Sequence, residues 1–100
     1  MFSVDCLKLM NDIEEEKIEL SRLHKCKNEL NEITVKLRKD YDTMVKHDQW
    51  DEGKYLEGAL RAQELRQELN NNAIHKSRAQ LMSTQFQMLA QHRRDKQRND

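Results

Sequence analysis

The sequence predicts an all-α protein, an antiparallel two-helix hairpin of coiled-coil type that pairs into a four-helix bundle. Three observations carry this. The 100 residues contain no proline. Apolar residues recur every three or four positions on both sides of the midpoint, the period of a helix with one buried face. Between these two runs lies His47–Lys54, reading HDQWDEGK, with the only Trp and one of two glycines. That stretch is read as the reversal point.

The first arm is expected over about residues 4–47. Its apolar positions are Phe2, Cys6, Leu9, Ile13, Leu20, Leu23, Cys26, Leu30, Ile33, Leu37, Tyr41 and Met44, and only the Glu16/Lys17 step lacks one. Leu23, Leu30, Leu37 and Met44 recur at seven-residue spacing with Cys26 and Ile33 between them, the pattern of a coiled-coil seam. Ser3 or Asp5 is placed to cap the start. The turn is expected over about 48–53, with Trp50 packed over the helix ends and Gly53 closing it.

The second arm is expected over about 54–92, followed by a frayed polar tail at 93–100. Its apolar residues include Leu65, Leu69, Ile74, Leu81, Met82, Phe86 and Met88. They scatter over a wider arc than in the first arm, although Ile74, Leu81 and Met88 recur every seven residues. Asn70, Asn71 and Asn72 are poor helix formers. A kink or break there and a continuous helix are both open, and the resumption of the period without Gly or Pro favours continuity.

Charge supports the folding-back independently. Lys and Arg total 18 and Asp and Glu total 18, yet they are not evenly spread. In residues 1–20, Asp5, Asp12, Glu14, Glu15, Glu16 and Glu19 outnumber Lys8 and Lys17 by four. In residues 73–100, Lys76, Arg78, Arg93, Arg94, Lys96 and Arg98 outnumber Asp95 and Asp100 by four. Reversal near residue 50 lays these ends side by side. It also brings His24, Lys25 and Lys27 level with His75, Lys76 and Arg78, a patch that would attract an acidic segment or phosphate; outward solvation of these side chains is the plainer account.

The function classes follow from what is missing. There is no Gly-rich phosphate loop or nucleophile elbow, and the four histidines and two cysteines lack metal-ligand spacing. No catalytic, cofactor-binding or metal-binding residue is assigned, and an enzyme is not expected. Cys6 and Cys26, about 30 Å apart on one straight helix, are too distant for a disulfide. Neither a signal-peptide core nor a membrane-spanning run is present in the sequence, so a cytoplasmic protein is expected, with export by a route without a cleaved signal left open.

What remains is a surface for partners. Leu7, Met10, Ile18 and Val35 on the first arm, and Leu65, Leu69 and Phe86 on the second, lie beyond a single stripe, and two helices alone do not cover both sets. The residues expected to meet a protein partner or a second copy are Leu23, Leu30, Leu37, Met44, Trp50, Leu65, Leu69, Ile74, Leu81, Met82, Phe86 and Met88. The alternative is a nucleic-acid-binding or regulatory protein using the basic second arm, against which stands the absence of aromatic residues in QHRRDKQRND to stack bases.

Two long helices about a central Trp and Gly in about one hundred residues resemble the small Trp-x-Gly proteins of bacterial type VII secretion. That resemblance implies a helical hairpin that dimerises into a four-helix bundle and is exported without a cleaved signal. The turn here reads Trp50, Asp51, Glu52, Gly53, one residue longer than that motif. The chain, rich in charge and in Gln and with a basic end, is also similar to helical-hairpin stalk and chaperone proteins of type III secretion and the flagellum. Either resemblance implies a secretion-associated adaptor or chaperone.

Overall fold

Three residues separate two long helices in this chain. A computed structural model describes residues 2–98, in which α1 spans Val4–Lys46 and α2 spans Trp50–Arg98. The protein is all-α, with the two helices antiparallel and packed against each other. They contribute to two compact units, each holding a piece of both: a turn unit, Leu23–Ala73, and a terminal unit, Met1–Arg22 with Ile74–Asp100.

In the turn unit, α1 ends in a Schellman motif. The Gln49 N–H donates to the Met44 carbonyl at 2.9 Å and the Asp48 N–H to the Val45 carbonyl at 3.3 Å, which satisfies carbonyls that the helix end would leave open. Asp48 takes the left-handed conformation this requires, with φ 57°. Gln49 then opens α2 directly, its carbonyl accepting from the Gly53 N–H at 2.9 Å. The turn therefore sits at 47–49 rather than 48–53. Asp48, not a glycine, makes the reversal, and Gly53 lies in the first turn of α2 with no positive φ. Trp50 begins α2 and is 59% exposed, so it does not pack over the helix ends. Asp51 and Glu52 follow in the first turn, where the helix dipole favours acids.

The seam of this unit takes Leu23, Leu30, Thr34, Leu37, Tyr41 and Met44 from α1, each buried or half-buried. Thr34 is buried while Ile33, the expected seam residue, is 48% exposed. The spacing explains this, because alternating steps of three and four from Leu30 to Leu37 land on 34 and keep the heptad phase. Facing them are Gly53, Leu56, Leu60, Gln63, Gln67 and Asn70 of α2, again buried or half-buried. Gln63 Nε2 donates to the Leu30 carbonyl at 3.2 Å, and Gln67 Nε2 to Asn31 Oδ1 at 2.6 Å. Asn70 Nδ2 donates to the Leu23 carbonyl at 3.4 Å. Helix α2 runs unbroken through Asn70, Asn71 and Asn72; the first faces the seam and the other two are exposed.

In the terminal unit, Cys6, Leu9, Ile13, Glu16 and Leu20 of α1 line the seam against Ile74, Ser77, Leu81, Thr84, Met88, Gln91 and Asp95. Ser3 caps α1, its hydroxyl accepting from the Cys6 N–H at 3.1 Å and donating to Asp95 Oδ2. Asp95 Oδ1 also accepts from Gln91 Nε2 at 3.0 Å. This fastening carries α2 past the expected limit at 92 as far as Arg98; residues 99–100 of the expected frayed tail lie outside the described residues. At the step where the α1 stripe lacks an apolar residue, Glu16 occupies the seam and Oε1 accepts from the Thr84 hydroxyl at 2.9 Å.

Candidate interaction surfaces

The strict heptad phase of α2 puts polar residues inside. Gln63, Asn70 and Thr84 are buried, whereas Leu65, Leu69, Met82, Phe86 and Leu89 are more than half exposed. Those five leucine, methionine and phenylalanine side chains stand off the seam because they are out of phase with its alternating steps of three and four. On α1, Val4, Leu7, Ile18, Ile33 and Val35 are likewise exposed.

The twelve residues singled out from sequence divide accordingly. Leu23 and Ile74 are buried in the seam, and Leu30, Leu37, Met44, Leu81 and Met88 are half-buried there. Trp50, Leu65, Leu69, Met82 and Phe86 face outward. The first seven line the seam, Met88 at the edge of a groove as well, and the last five are exposed.

The terminal unit adds concavity. A groove of about 520 Å³ lies between the helices, lined by Met10, Ile13, Glu14, Lys17, Gln85, Met88 and Leu89. A hollow of about 250 Å³ lined by Met82, Gln85, Phe86 and Leu89 adjoins it, sharing Gln85 and Leu89. Leu89 is not among the residues expected to meet a partner, whereas Met10 is among those expected beyond a single stripe. The signal was present in α1, since Met10 directly follows the seam position Leu9, as Lys17 follows Glu16. In the turn unit a hollow of about 480 Å³ involves Tyr41, Asp42, Thr43, Val45 and Lys46 only, the surface of one helix end.

Electrostatics is mostly local. Glu14 pairs with Lys17 at 3.7 Å and Glu57 with Arg61 at 2.8 Å, each within one helix. Glu19 is held below the usual carboxylate range, chiefly by hydrogen bonds from the Arg22 guanidinium at 2.6 and 2.9 Å. Between helices, Arg38 and Glu64 of the turn unit meet at 3.4 Å with both side chains exposed, a pair worth about 0–1 kcal/mol. Among the described residues no ion pair joins the acids of 1–20 to the bases of 73–98. Asp95 is held below its usual range mainly by the Ser3 hydroxyl, against the opposing effect of burial, with Gln91 assisting.

Among the described residues no group of three His, Cys, Asp or Glu is arranged to hold a metal ion, and Cys6 and Cys26 are free thiols. No helix of the described residues is long and apolar enough to cross a membrane. No family model, curated protein or solved structure matches the chain. Of the two resemblances, the helical architecture alone is shared; Trp50–Gly53 is the first turn of a helix rather than a Trp-x-Gly reversal.

Proposed function

We propose that the chain is a non-enzymatic protein–protein interaction module that works by packing the outer faces of its helices against a protein partner or a second copy in a helical bundle. One observation carries this: α2 turns polar residues into its own seam and leaves Leu65, Leu69, Met82, Phe86 and Leu89 in water. Each is more than half exposed, so covering what remains in water would supply roughly 1–2 kcal/mol per side chain. A small adaptor or chaperone of a secretion system is the most concrete version, and it rests on architecture.

Sedimentation of the purified chain at micromolar concentration, together with co-purification from its native host, tests the reading. A mass twice the 12.0 kDa chain, or a stoichiometric helical partner whose retention is lost in Leu65→Ser/Leu69→Ser or Phe86→Ser variants, is expected. A monomer that retains no partner, or one that retains only nucleic acid with a steep loss at higher salt, would refute it.

A further inference from the structure

The groove of the terminal unit has a charge pattern that specifies its occupant more narrowly. Its floor and one wall are apolar and adaptable: Met10, Met82 and Met88, three of the five methionines in the chain, line the groove or its adjoining hollow with Phe86 and Leu89. Methionine suits a surface that repacks around an incoming side chain. Helical spacing places cations at both ends of this apolar stretch. Arg78 precedes Met82 by four residues and Arg93 follows Leu89 by four, so each shares a face with its neighbour; Lys96 follows Leu89 by seven. All three are exposed.

The acids lie elsewhere. Asp5, Asp12 and Glu19 each immediately precede a seam residue of α1, namely Cys6, Ile13 and Leu20, while the groove takes residues that immediately follow seam positions, namely Met10, Glu14 and Lys17. These two sets flank the seam on opposite sides. Glu14 is the one acid lining the groove, and it is paired with Lys17.

We propose that this groove docks an acidic amphipathic helix of another protein, which lays apolar residues at helical spacing against Met82, Phe86 and Leu89 and sets carboxylates against Arg78, Arg93 and Lys96. A concave, apolar trough between two helices fits a helix laid lengthwise, and cations at its two ends orient it and favour acid over base. The acidic side of α1 from a second copy does not supply such a helix, because Asp5, Asp12 and Glu19 have no exposed apolar stripe with them. The proposal rests on the interaction-module reading and narrows it to one face and one partner chemistry.

The test uses the full chain and labelled synthetic helices of about 18 residues, five turns, with Leu and Phe at helical spacing and Glu elsewhere, beside matched peptides with Lys in place of Glu. Fluorescence anisotropy is expected to show the Glu peptide binding at least about tenfold more tightly than the Lys peptide, and to weaken as salt rises. Phe86→Ser with Leu89→Ser should weaken binding by at least about tenfold, with the thermal melt unchanged because both side chains are outside the seam. Arg78→Glu with Lys96→Glu should reverse the peptide preference. Absence of binding by the Glu peptide, or equal affinity for both peptides, overturns the proposal. So does binding to phosphatidylserine vesicles in place of the peptide, or a concentration-dependent dimer that the Phe86/Leu89 variant abolishes. If the groove variants leave binding of the Glu peptide or retention of a partner protein intact, the groove proposal fails alone and the interaction module stands; if the chain associates with nothing, both fail.

Discussion

Replacing Asn70 by leucine is expected to stabilise the protein, although it deletes the hydrogen bond that Asn70 makes across the seam. That bond is long, 3.4 Å from Nδ2 to the Leu23 carbonyl, and its loss costs at most about 0.5–1.5 kcal/mol. The other half of the amide is unfavourable as it stands: Oδ1 is buried without a hydrogen-bond partner, and relieving it returns about 1–3 kcal/mol. A buried leucine adds roughly 1.5–3 kcal/mol, against about 1–3 kcal/mol of crowding where the seam must widen. The balance is a gain of about 1–2 kcal/mol, or about 4–8 °C in Tm for each kcal/mol in a domain of this size. Thermal and urea melts followed by far-ultraviolet circular dichroism measure it. A single buried amide at a seam position also disfavours wrong registers, so sedimentation of the variant should reveal additional oligomers that the parent lacks. A loss of about 1 kcal/mol or more would refute the reasoning, since it would mean that the amide contributes far more than its geometry allows.

Four further outcomes are expected. Asp48→Gly should raise stability by about 1 kcal/mol in the same melts, because Asp48 holds a left-handed φ of 57° that costs a residue with a side chain about 1–2 kcal/mol and glycine much less. Gly53→Ala and Gly58→Ala should each stabilise by about 0.5–1 kcal/mol, as both lie inside α2 and an added Cβ meets nothing within 4 Å; a loss at either site would show crowding there. Leu37→Asp, and equally Leu30→Asp, should unfold or dissociate the protein through several kcal/mol of unpaired charge in the seam, while Glu15→Ala at an exposed site leaves the melt within about 0.5 kcal/mol. The lowered folded-state pKa of Asp95 means that its contribution is present above its unfolded value, about 3.9, and is lost as pH falls through the lower folded value; Ser3→Ala should bring the carboxyl back toward the ordinary value in a nuclear magnetic resonance titration, and an unchanged titration would rule out the Ser3 hydroxyl as its cause.

Helix α1 was legible because its seam is filled by the residues that periodicity searches for. Leu23, Leu30, Leu37 and Met44 are apolar, seven apart and packed inward, and the helical class followed from such runs without proline. Ile33 in place of Thr34 differs because the more apolar of two adjacent residues stands one position out of phase, and Cys26, also expected in the seam, is one position out of phase in the same way. The turn lies earlier than Trp50 and Gly53 suggest, because the residue that adopts the left-handed conformation is Asp48, and aspartates are too common in this chain for one to mark a turn by itself.

Helix α2 was legible as a helix and only partly oriented. Ile74, Leu81 and Met88, seven apart, do mark its seam, but Gln63, Gln67, Asn70, Ser77, Thr84, Gln91 and Asp95 share that face, so hydrophobicity alone does not single it out. The exposed groove depended on the same decision, since Met82, Phe86 and Leu89 become a surface only once Thr84 and Met88 are known to face inward. Sequence alone determined the secondary structure, because helix formation answers to local period and the absence of breakers. Which face of α2 meets α1 was decided by tertiary packing, in which Leu56, Leu60, Ile74, Leu81 and Met88 enter the seam together with Gln63, Asn70 and Thr84, and the α1 residues they meet lie far away along the chain.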